Sequence, residues 1–404
     1  MEALPSPQEP LPPEAISRAR CRHFGVCGGC AWQDVEYGAQ LARKEEALRE
    51  VLGPSFARFL KPIVPSPSVW FYRNKMEFAF GFEKDAPEAV ALGLRRRGKF
   101  WGVTSLEECF LMSEKVAPIL ASARSWAAGH RLPPYHLRRH TGLLRYLVIR
   151  EGKRTGQRIV ILVTAPPPDE GAFEGTLAGL GESLRPHGVT TFLWSVTDRQ
   201  ADLAVGEVRK AVYGEPWFEE KLAGVSFRLS PYAFFQPNVE GMEVLIERAR
   251  TMLGAGWGLV VDLYSGVGGL TLPLAGQAGR MTGIELDEAA VGDARRNAVL
   301  NGISNTQFVA EDSLTFLRRF SDYSFLADKW GVVLDPPRAG MHPRMAGQLL
   351  RVASPVLIYV SCNPRKLAED LAVLTRAYSI EEAIPYDFFP HTPHVEVLVR
   401  LTRR

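Results

Sequence analysis

The stretch VVDLYSGVGGLTLPLA, Val260 to Ala275, decides the fold. An apolar run ends in an acid, Asp262. Gly266, Gly268 and Gly269 follow, and then an apolar, helix-capable segment. That order is the outline of a buried parallel strand, a tight turn and a helix start. Glycines let the backbone turn sharply and approach a ligand closely. Helix-start N–H groups and an acid at the strand end suit a nucleotide-like ligand. A second acid, Glu285, ends the next apolar segment, MTGIEL, and is placed to accept from a ribose. The third glycine of the dinucleotide pattern is missing, because Thr271 stands there. The reading is therefore adenosine with a small tail, S-adenosylmethionine, rather than NAD.

A chain of 404 residues predicts two or three domains with ample core. Its 46% hydrophobic and 23% charged content is that of a soluble globular protein. The net charge of +3 does not announce a nucleic-acid binder, but the charge is uneven. Between Ala91 and Val160 fourteen Arg and Lys face four Glu, including RRRGK at Arg95 to Lys99 and RRH at Arg138 to His140. A phosphate-backbone partner needs such a local excess, although a solvated face would show it too. No apolar run reaches the ~20 residues of a membrane span. The N-terminus, MEALPSPQEPLPPEA, is proline-rich and acidic, with no signal-peptide core. A disordered tail is expected over residues 1–17. The expectation is a cytoplasmic protein with reduced thiols, a monomer with no obligate protein partner.

Of five cysteines, three lie in CRHFGVCGGC as Cys21, Cys27 and Cys30, a C-x5-C-x2-C spacing. Gly28 and Gly29 free the backbone to curl, so that the thiolates can face one metal centre. Cys109, in LEECFL, is the candidate fourth ligand. Four thiolates suit zinc or an iron–sulfur cluster, and three close ligands with one distant fit [4Fe–4S] better. The fifth, Cys362, follows the apolar segment SPVLIYV and precedes Asn363-Pro364. It is thus expected at the carboxyl end of a parallel strand, the edge where open α/β sheets bind ligands. A thiol there is the strongest ordinary nucleophile on offer.

Elsewhere, Asp34 to Leu52 has helical spacing and ends before Gly53-Pro54. From Trp70 to about Leu229 short strands dominate, with one clear helix near Ser113 to Ala128. This reads as an antiparallel sheet with crossing helices. SPYAFFQPN, Ser230 to Asn238, is the hinge into a second domain, and Gln236 is placed to present its amide to the cofactor's methionine end. Alternating helices and strands then run to the end. The fold class is α/β. A Rossmann-like methyltransferase domain spans 230–404, after an α+β, cysteine-bearing, RNA-binding domain over 18–229, whose helix 34–52 is free to pack on the second domain.

Further acids mark further strand ends. QFVAED delivers Asp312, placed to accept from an adenine amino group. GVVLDPPRAG delivers Asp335, with Pro336 and Pro337 fixing the loop. Its Asp-Pro-Pro resembles an amino-methyltransferase motif, except that Arg338 replaces the aromatic. In HTPHVEVLVRL, Glu396 sits among valines. Burial would raise its proton affinity and suit a general base, while a salt-bridged acid is the competing reading. His391 and His394 are assigned no role.

Together, Cys21/Cys27/Cys30/Cys109, FFQPN, DLYSGVGGLTLPLA, LDPPRAG, YVSCNP and HTPHVE resemble the RNA 5-methyluridine methyltransferases, in particular the iron–sulfur branch that acts on 23S ribosomal RNA. The likeness runs over nearly the whole chain from Cys21. It implies Cys362 as nucleophile, Glu396 as base, and Gln236, Tyr264, Glu285, Asp312 and Asp335 around the cofactor. Gly269 stands where some members carry a polar contact, leaving only its backbone. Many members begin with a small β-barrel RNA-binding module. Only twenty residues precede Cys21, so that module is expected to be absent and the exact RNA, ribosomal or transfer, stays open.

The chemistry is consistent with the likeness. Uracil C5 is too weak a nucleophile to attack a sulfonium methyl unaided. A thiolate added at C6 makes C5 reactive, and a base must then remove the C5 proton. Three other readings compete: a cytosine-5 RNA methyltransferase, an exocyclic-amine methyltransferase using Asp335-Pro336-Pro337, and a non-catalytic RNA chaperone.

Overall fold

The computed structural model describes residues 17–83, 89–320 and 329–404. The expected tail therefore falls outside the described residues, apart from Ser17, whose N–H donates to the Asp34 carbonyl. Helix α1 spans Tyr37–Ala57 and is broken at Gly53 (φ 67°), directly before Pro54. Proline cannot continue the hydrogen-bond ladder, and glycine supplies the left-handed backbone of the break.

The middle of the chain forms β1 (Lys75–Phe82), β2 (Val90–Arg96), β3 (Lys99–Ser105), α2 (Val116–Gly129), β4 (Leu144–Glu151), β5 (Arg158–Thr164), α3 (Glu170–Leu184), β6 (Thr191–Val196) and β7 (Glu207–Tyr213). These strands make one sheet in the order β3-β2-β1-β4-β5-β6-β7. The expected antiparallel pattern holds except for β5 and β6, which run parallel around α3.

A two-stranded hairpin, β8 (Phe218–Leu222) and β9 (Val225–Leu229), comes next. It is followed by α4 (Val239–Leu253), β10 (Trp257–Leu263), β11 (Ala278–Glu285), α5 (Glu288–Leu300), β12 (Thr306–Ala310) and α6 (Ser313–Phe320). The chain ends with β13 (Trp330–Leu334), α7 (Met345–Val352), β14 (Val356–Ser361), α8 (Pro364–Leu374), β15 (Tyr378–Tyr386) and β16 (Glu396–Arg403). The free edge of β9 is satisfied by α5. Ser226 and Arg228 N–H groups donate to Asn301 and Asn297 Oδ1 at 2.8 and 2.7 Å, and Ser230 N–H donates to Asp293 Oδ2 at 2.9 Å. Every fourth helix residue meets every second strand residue because both repeats are about 6–7 Å long. The expected boundary at 229 thus separates a hairpin from the helix that completes it.

The second sheet has the order β12-β11-β10-β13-β14-β16-β15. Its pairs are parallel except those made by β16, which runs antiparallel between β14 and β15. Strand β14 is buried along its whole length, as a central parallel strand must be. Strand order reverses at β10, with β11 on one side and β13 on the other. The crevice beyond the carboxyl ends of β10 and β13 is where such sheets bind ligands.

One continuous core joins the two sheets, from Val148 and Ile161 through Phe218, Phe227 and Leu245 to Val260, Ile358 and Leu398. Helix α1 is built into the second sheet's far side, where Leu48 and Leu52 pack with Leu357, Tyr359, Leu367 and Val397. No helix among the described residues is long and apolar enough to cross a membrane.

Candidate active site

The turn after β10 differs from its sequence reading in two ways. Asp262 does not face a ligand: it is fully buried, and Thr271 Oγ1 donates to its Oδ2 at 2.5 Å. Successive strand residues point to opposite faces, and this acid points into the core. Thr271, at the third-glycine position, is what receives it. The segment after the glycines also forms no α-helix. It is a run of turns ending in a short 3-10 turn, Ala275–Gln277. Pro273, with no N–H to donate, interrupts the ladder that a helix would need. The glycines keep their expected role at two positions, Gly266 (φ 52°) and Gly268 (φ 87°). At Gly269 a Cβ would meet nothing within 4 Å, so the turn itself does not demand glycine there.

Four other sequence-marked residues, Tyr264, Glu285, Asp312 and Asp335, stand along the same crevice edge because each follows or ends a strand, and a fifth, Gln236, lies in the loop between β9 and α4. Tyr264 follows β10 in a left-handed conformation (φ 68°). Burial pushes its hydroxyl up to about 12, with the nearby Asp312 carboxylate adding to the rise. Glu285 ends β11. Its Oε2 accepts from Gly266 N–H at 3.0 Å, and its Oε1 from Leu286 and Asp287 N–H at 2.7 and 2.9 Å. One of these bonds ties the glycine turn to the end of β11 and the other two close the turn after Glu285, so three of about four acceptor positions of the carboxylate are filled. Asp312 lies two residues past β12, is exposed, and caps α6 by accepting from Thr315 N–H and Oγ1 at 2.8 and 2.9 Å through Oδ1. Gln236 is half-buried. Its carbonyl accepts from Asn74 Nδ2 at 2.8 Å, which pins the hinge loop to the first sheet. Asp335 follows β13, and burial of its carboxyl pushes it up to about 7.

Cys362 follows β14, and Glu396 begins β16. Ser361 pairs with Val397 across these antiparallel strands. Only because β16 runs backwards does its first residue arrive at the edge where β14 ends. Glu396 is 2% exposed, and its Oε2 has no hydrogen-bond partner. Burial raises its proton affinity well above the carboxylate range, the Asp335 charge raises it further, and Arg338 opposes both. Burial likewise pushes the Cys362 thiol up to about 12, reinforced by Glu396 and Asp335 and opposed by Arg338. The four groups therefore share one electrostatic neighbourhood.

Sequence reading noted Arg338 only as a missing aromatic. In the structure its guanidinium sits 2.8 Å from His394 Nδ1, and its carbonyl accepts from Asn363 Nδ2 at 3.1 Å. His391 is equally buried in contacts. Its N–H donates to Gln40 Oε1 at 2.8 Å, its ring stacks on Trp70 at 3.8 Å, and its carbonyl accepts from Ala31 and Trp32 N–H. The two histidines just before Glu396 were a faint signal that this loop is anchored on both sides.

The cysteine loop lies against that anchor. Cys21, Cys27, Cys30 and Cys109 are unpaired thiols, each partly buried. Burial pushes Cys27 up to about 11 and Cys109 up to about 12, and Cys109 is also raised by Cys30, Cys27 and Cys21. The four therefore lie within electrostatic reach of one another. Gly29 N–H and Gln33 Nε2 donate to the Cys27 and Cys30 sulfurs at 3.3 and 3.2 Å. Among the described residues, no group of three or more His, Cys, Asp or Glu is placed to hold a metal ion.

A crevice at the reversal point of such a sheet, walled by strand-end acids and a glycine turn, is where open α/β folds hold nucleotide-like cofactors. Residues 218–404 match the family described as tRNA (Uracil-5-)-methyltransferase. An uncharacterized RNA methyltransferase of Clostridium tetani is 37% identical over 392 residues, covering 96% of this chain and 84% of the relative. The tRNA (uracil(54)-C(5))-methyltransferase of Pyrococcus horikoshii is 33% identical over 95% of this chain and 85% of the relative. The crystal structure of the Pyrococcus abyssi tRNA (uracil-54, C5)-methyltransferase, in complex with S-adenosyl-L-homocysteine, superposes with a TM-score of 0.76. It is 30% identical and covers 93% of this chain and 85% of that one. The chain belongs to the RNA (uracil-5-)-methyltransferase family, enzymes that use S-adenosylmethionine.

Proposed function

We propose that this enzyme methylates C5 of one uridine in 23S ribosomal RNA through a temporary bond between Cys362 and the ring's C6. The observation that carries the reading is the arrival of Cys362, Glu396 and Asp335 at one sheet edge from three different strands. S-adenosylmethionine supplies an electrophilic methyl group when bound. Glu285 is assigned to its ribose, Asp312 to its adenine, Gln236 and Asp335 to its methionine end, and Tyr264 with the Gly269 backbone to its walls.

The chain's own part is covalent. The target base leaves its stack at a cost of a few kcal/mol. Cys362 gives its proton to solvent and its sulfur bonds to C6, which moves the ring's electron pair towards C5 and O4. Once C5 carries the methyl group, the Glu396 carboxylate, having first given up its own proton to solvent, accepts the C5 proton. Those electrons re-form the C5–C6 double bond and expel the Cys362 thiolate. A buried acid held beside Asp335 binds a proton more tightly than a solvated one, which suits that step.

The four clustered thiols are assigned to a [4Fe–4S] cluster. Their mutual electrostatic reach supports this, as do the N–H donors aimed at two of the sulfurs, a contact that steadies cluster thiolates. A second RNA, a transfer RNA, is favoured by one observation: the Pyrococcus relatives are named for uracil 54 of tRNA. Mass mapping of ribosomal and transfer RNA from a deletion strain separates the two. The expected result is one lost 5-methyluridine in 23S RNA, whereas a loss confined to tRNA would transfer the assignment. For the chemistry, Cys362→Ala should abolish methylation and Glu396→Gln should trap an RNA-linked protein on a denaturing gel. Full turnover by Glu396→Gln would remove it as base.

A further inference from the structure

Arg338 and His394 flank the reacting pair and have no part in the reaction as written above. Both are placed by their surroundings. Arg338 lies in the loop after β13, where Pro336 and Pro337 restrict the backbone and Gly340 N–H closes a turn onto the Pro337 carbonyl at 2.8 Å. The Arg338 carbonyl accepts from Asn363 Nδ2 at 3.1 Å, and Asn363 is the residue directly after Cys362. The guanidinium reaches the other strand. Its Nη2 lies 2.8 Å from Nδ1 and 3.3 Å from Nε2 of His394, two residues before Glu396. His394 is itself held. Its backbone N–H donates to Thr392 Oγ1 at 3.3 Å, Thr392 Oγ1 donates to the Phe389 carbonyl at 2.8 Å, and the imidazole meets the Phe389 ring edge-on at 6.1 Å. Arg338 thus bridges the segment beside the nucleophile and the segment beside the base.

A guanidinium can only donate. Whichever nitrogen of His394 takes the bond must offer a lone pair, so the ring is neutral. The surroundings keep it so: burial, together with the charges of Arg338, Lys44 and Arg73, pushes its pKa down to about 4. We infer that His394 is a positioning residue, which holds the Arg338 guanidinium at the Cys362–Glu396 edge so that its charge favours the Cys362 thiolate and the electron-rich ring formed when sulfur adds to C6. This deepens the proposed uracil methylation and rests on it. The need is electrostatic. The acids Glu396 and Asp335 both oppose a thiolate at Cys362, and Arg338 is a cation that works against them. Arg338 is exposed, and an unheld arginine spreads over many rotamers in solvent, which dilutes its effect at any one point. A neutral acceptor fixes that charge without cancelling it, whereas a carboxylate at position 394 would cancel it.

The test is a double-variant cycle in the full chain, read first without RNA as the rate at which iodoacetamide labels Cys362 at pH 7.5. His394→Phe keeps a ring and removes the acceptor. Its Cys362 should label about threefold more slowly, the balance of an about tenfold smaller thiolate fraction and a more nucleophilic thiolate. Arg338→Ala with His394→Phe should label no more slowly than Arg338→Ala alone, because the histidine acts through the arginine. His394→Gln restores an acceptor and should recover most of the parent rate. With transcribed 23S RNA and bulk tRNA as substrates, His394→Phe should lower kcat about tenfold and leave cofactor affinity unchanged, with His394→Gln again close to the parent. Parent-like labelling in His394→Phe, or additive losses in the double variant, would overturn the role of His394. So would equal losses of rate and melting temperature in the Phe and Gln variants, which would make the residue a part of the fold alone. A parent chain that binds cofactor and methylates neither RNA would overturn the uracil reading and, with it, the catalytic part of this role, whatever the labelling shows.

Discussion

Lys44 and Asp387, 343 positions apart, form an ion pair at 2.5 Å with both side chains fully buried. Lys44 Nζ also donates to the Phe389 carbonyl at 3.1 Å. The first helix is thereby fastened to the loop between β15 and β16, the loop that ends at Glu396. Removing one member of such a pair leaves a buried charge alone. Lys44→Met should therefore destabilise the protein by about 3–5 kcal/mol, and adding Asp387→Asn should restore much of that. Urea unfolding of the two variants checks it. Equal stability of single and double variants would mean that the pair does not couple.

Asp262 should make stability fall as pH rises. Its carboxyl is pushed up to about 7, chiefly by burial, above the ordinary carboxylate value. A raised acid stabilises the fold fully below its unfolded pKa and loses that contribution as pH climbs through the folded value. Between about pH 4 and pH 7 the loss should approach 4 kcal/mol. Asp262→Asn can still accept from Thr271, so its unfolding free energy should be flatter across that window and higher than the parent's at pH 8. An unchanged pH profile would mean that Asp262 is ionised within the fold.

Cys362 should be a sluggish thiol until RNA arrives. With its proton affinity raised to about 12, the free enzyme holds very little thiolate at neutral pH. Iodoacetamide should label it about a hundredfold more slowly than an ordinary cysteine at pH 7.5, once the greater intrinsic reactivity of a basic thiolate is allowed for. Arg338 lowers that affinity, so Arg338→Ala should slow labelling further. Peptide mass mapping over time gives both rates, and rapid labelling at neutral pH would contradict the buried geometry.

Anaerobically purified protein should be brown and carry about four iron and four sulfide per chain. Cys109→Ser should lower the iron content and the melting temperature together, because it disconnects residue 109 from the N-terminal loop. Stoichiometric zinc without iron would replace the assigned cluster.

The amino-acid sequence by itself determined most of the crevice. In an open parallel sheet each apolar run that ends in a polar residue delivers that residue to one common edge, so Glu285, Asp312, Asp335 and Cys362 could be gathered from local pattern, whereas Tyr264 rested on the family resemblance. The direction of Asp262 could not be read that way, since a one-residue change in where a strand stops exchanges core for cleft. Nor could the partnership of Cys362 with Glu396, which depends on β16 entering backwards between β14 and β15, a pairing set by packing across the whole sheet. The same holds for charge. Sequence counted the cations between Ala91 and Val160, but only folding decided which of them carboxylates and carbonyls neutralise, as Glu151 does Lys153 and Arg158, because ion pairing is a matter of distance in space.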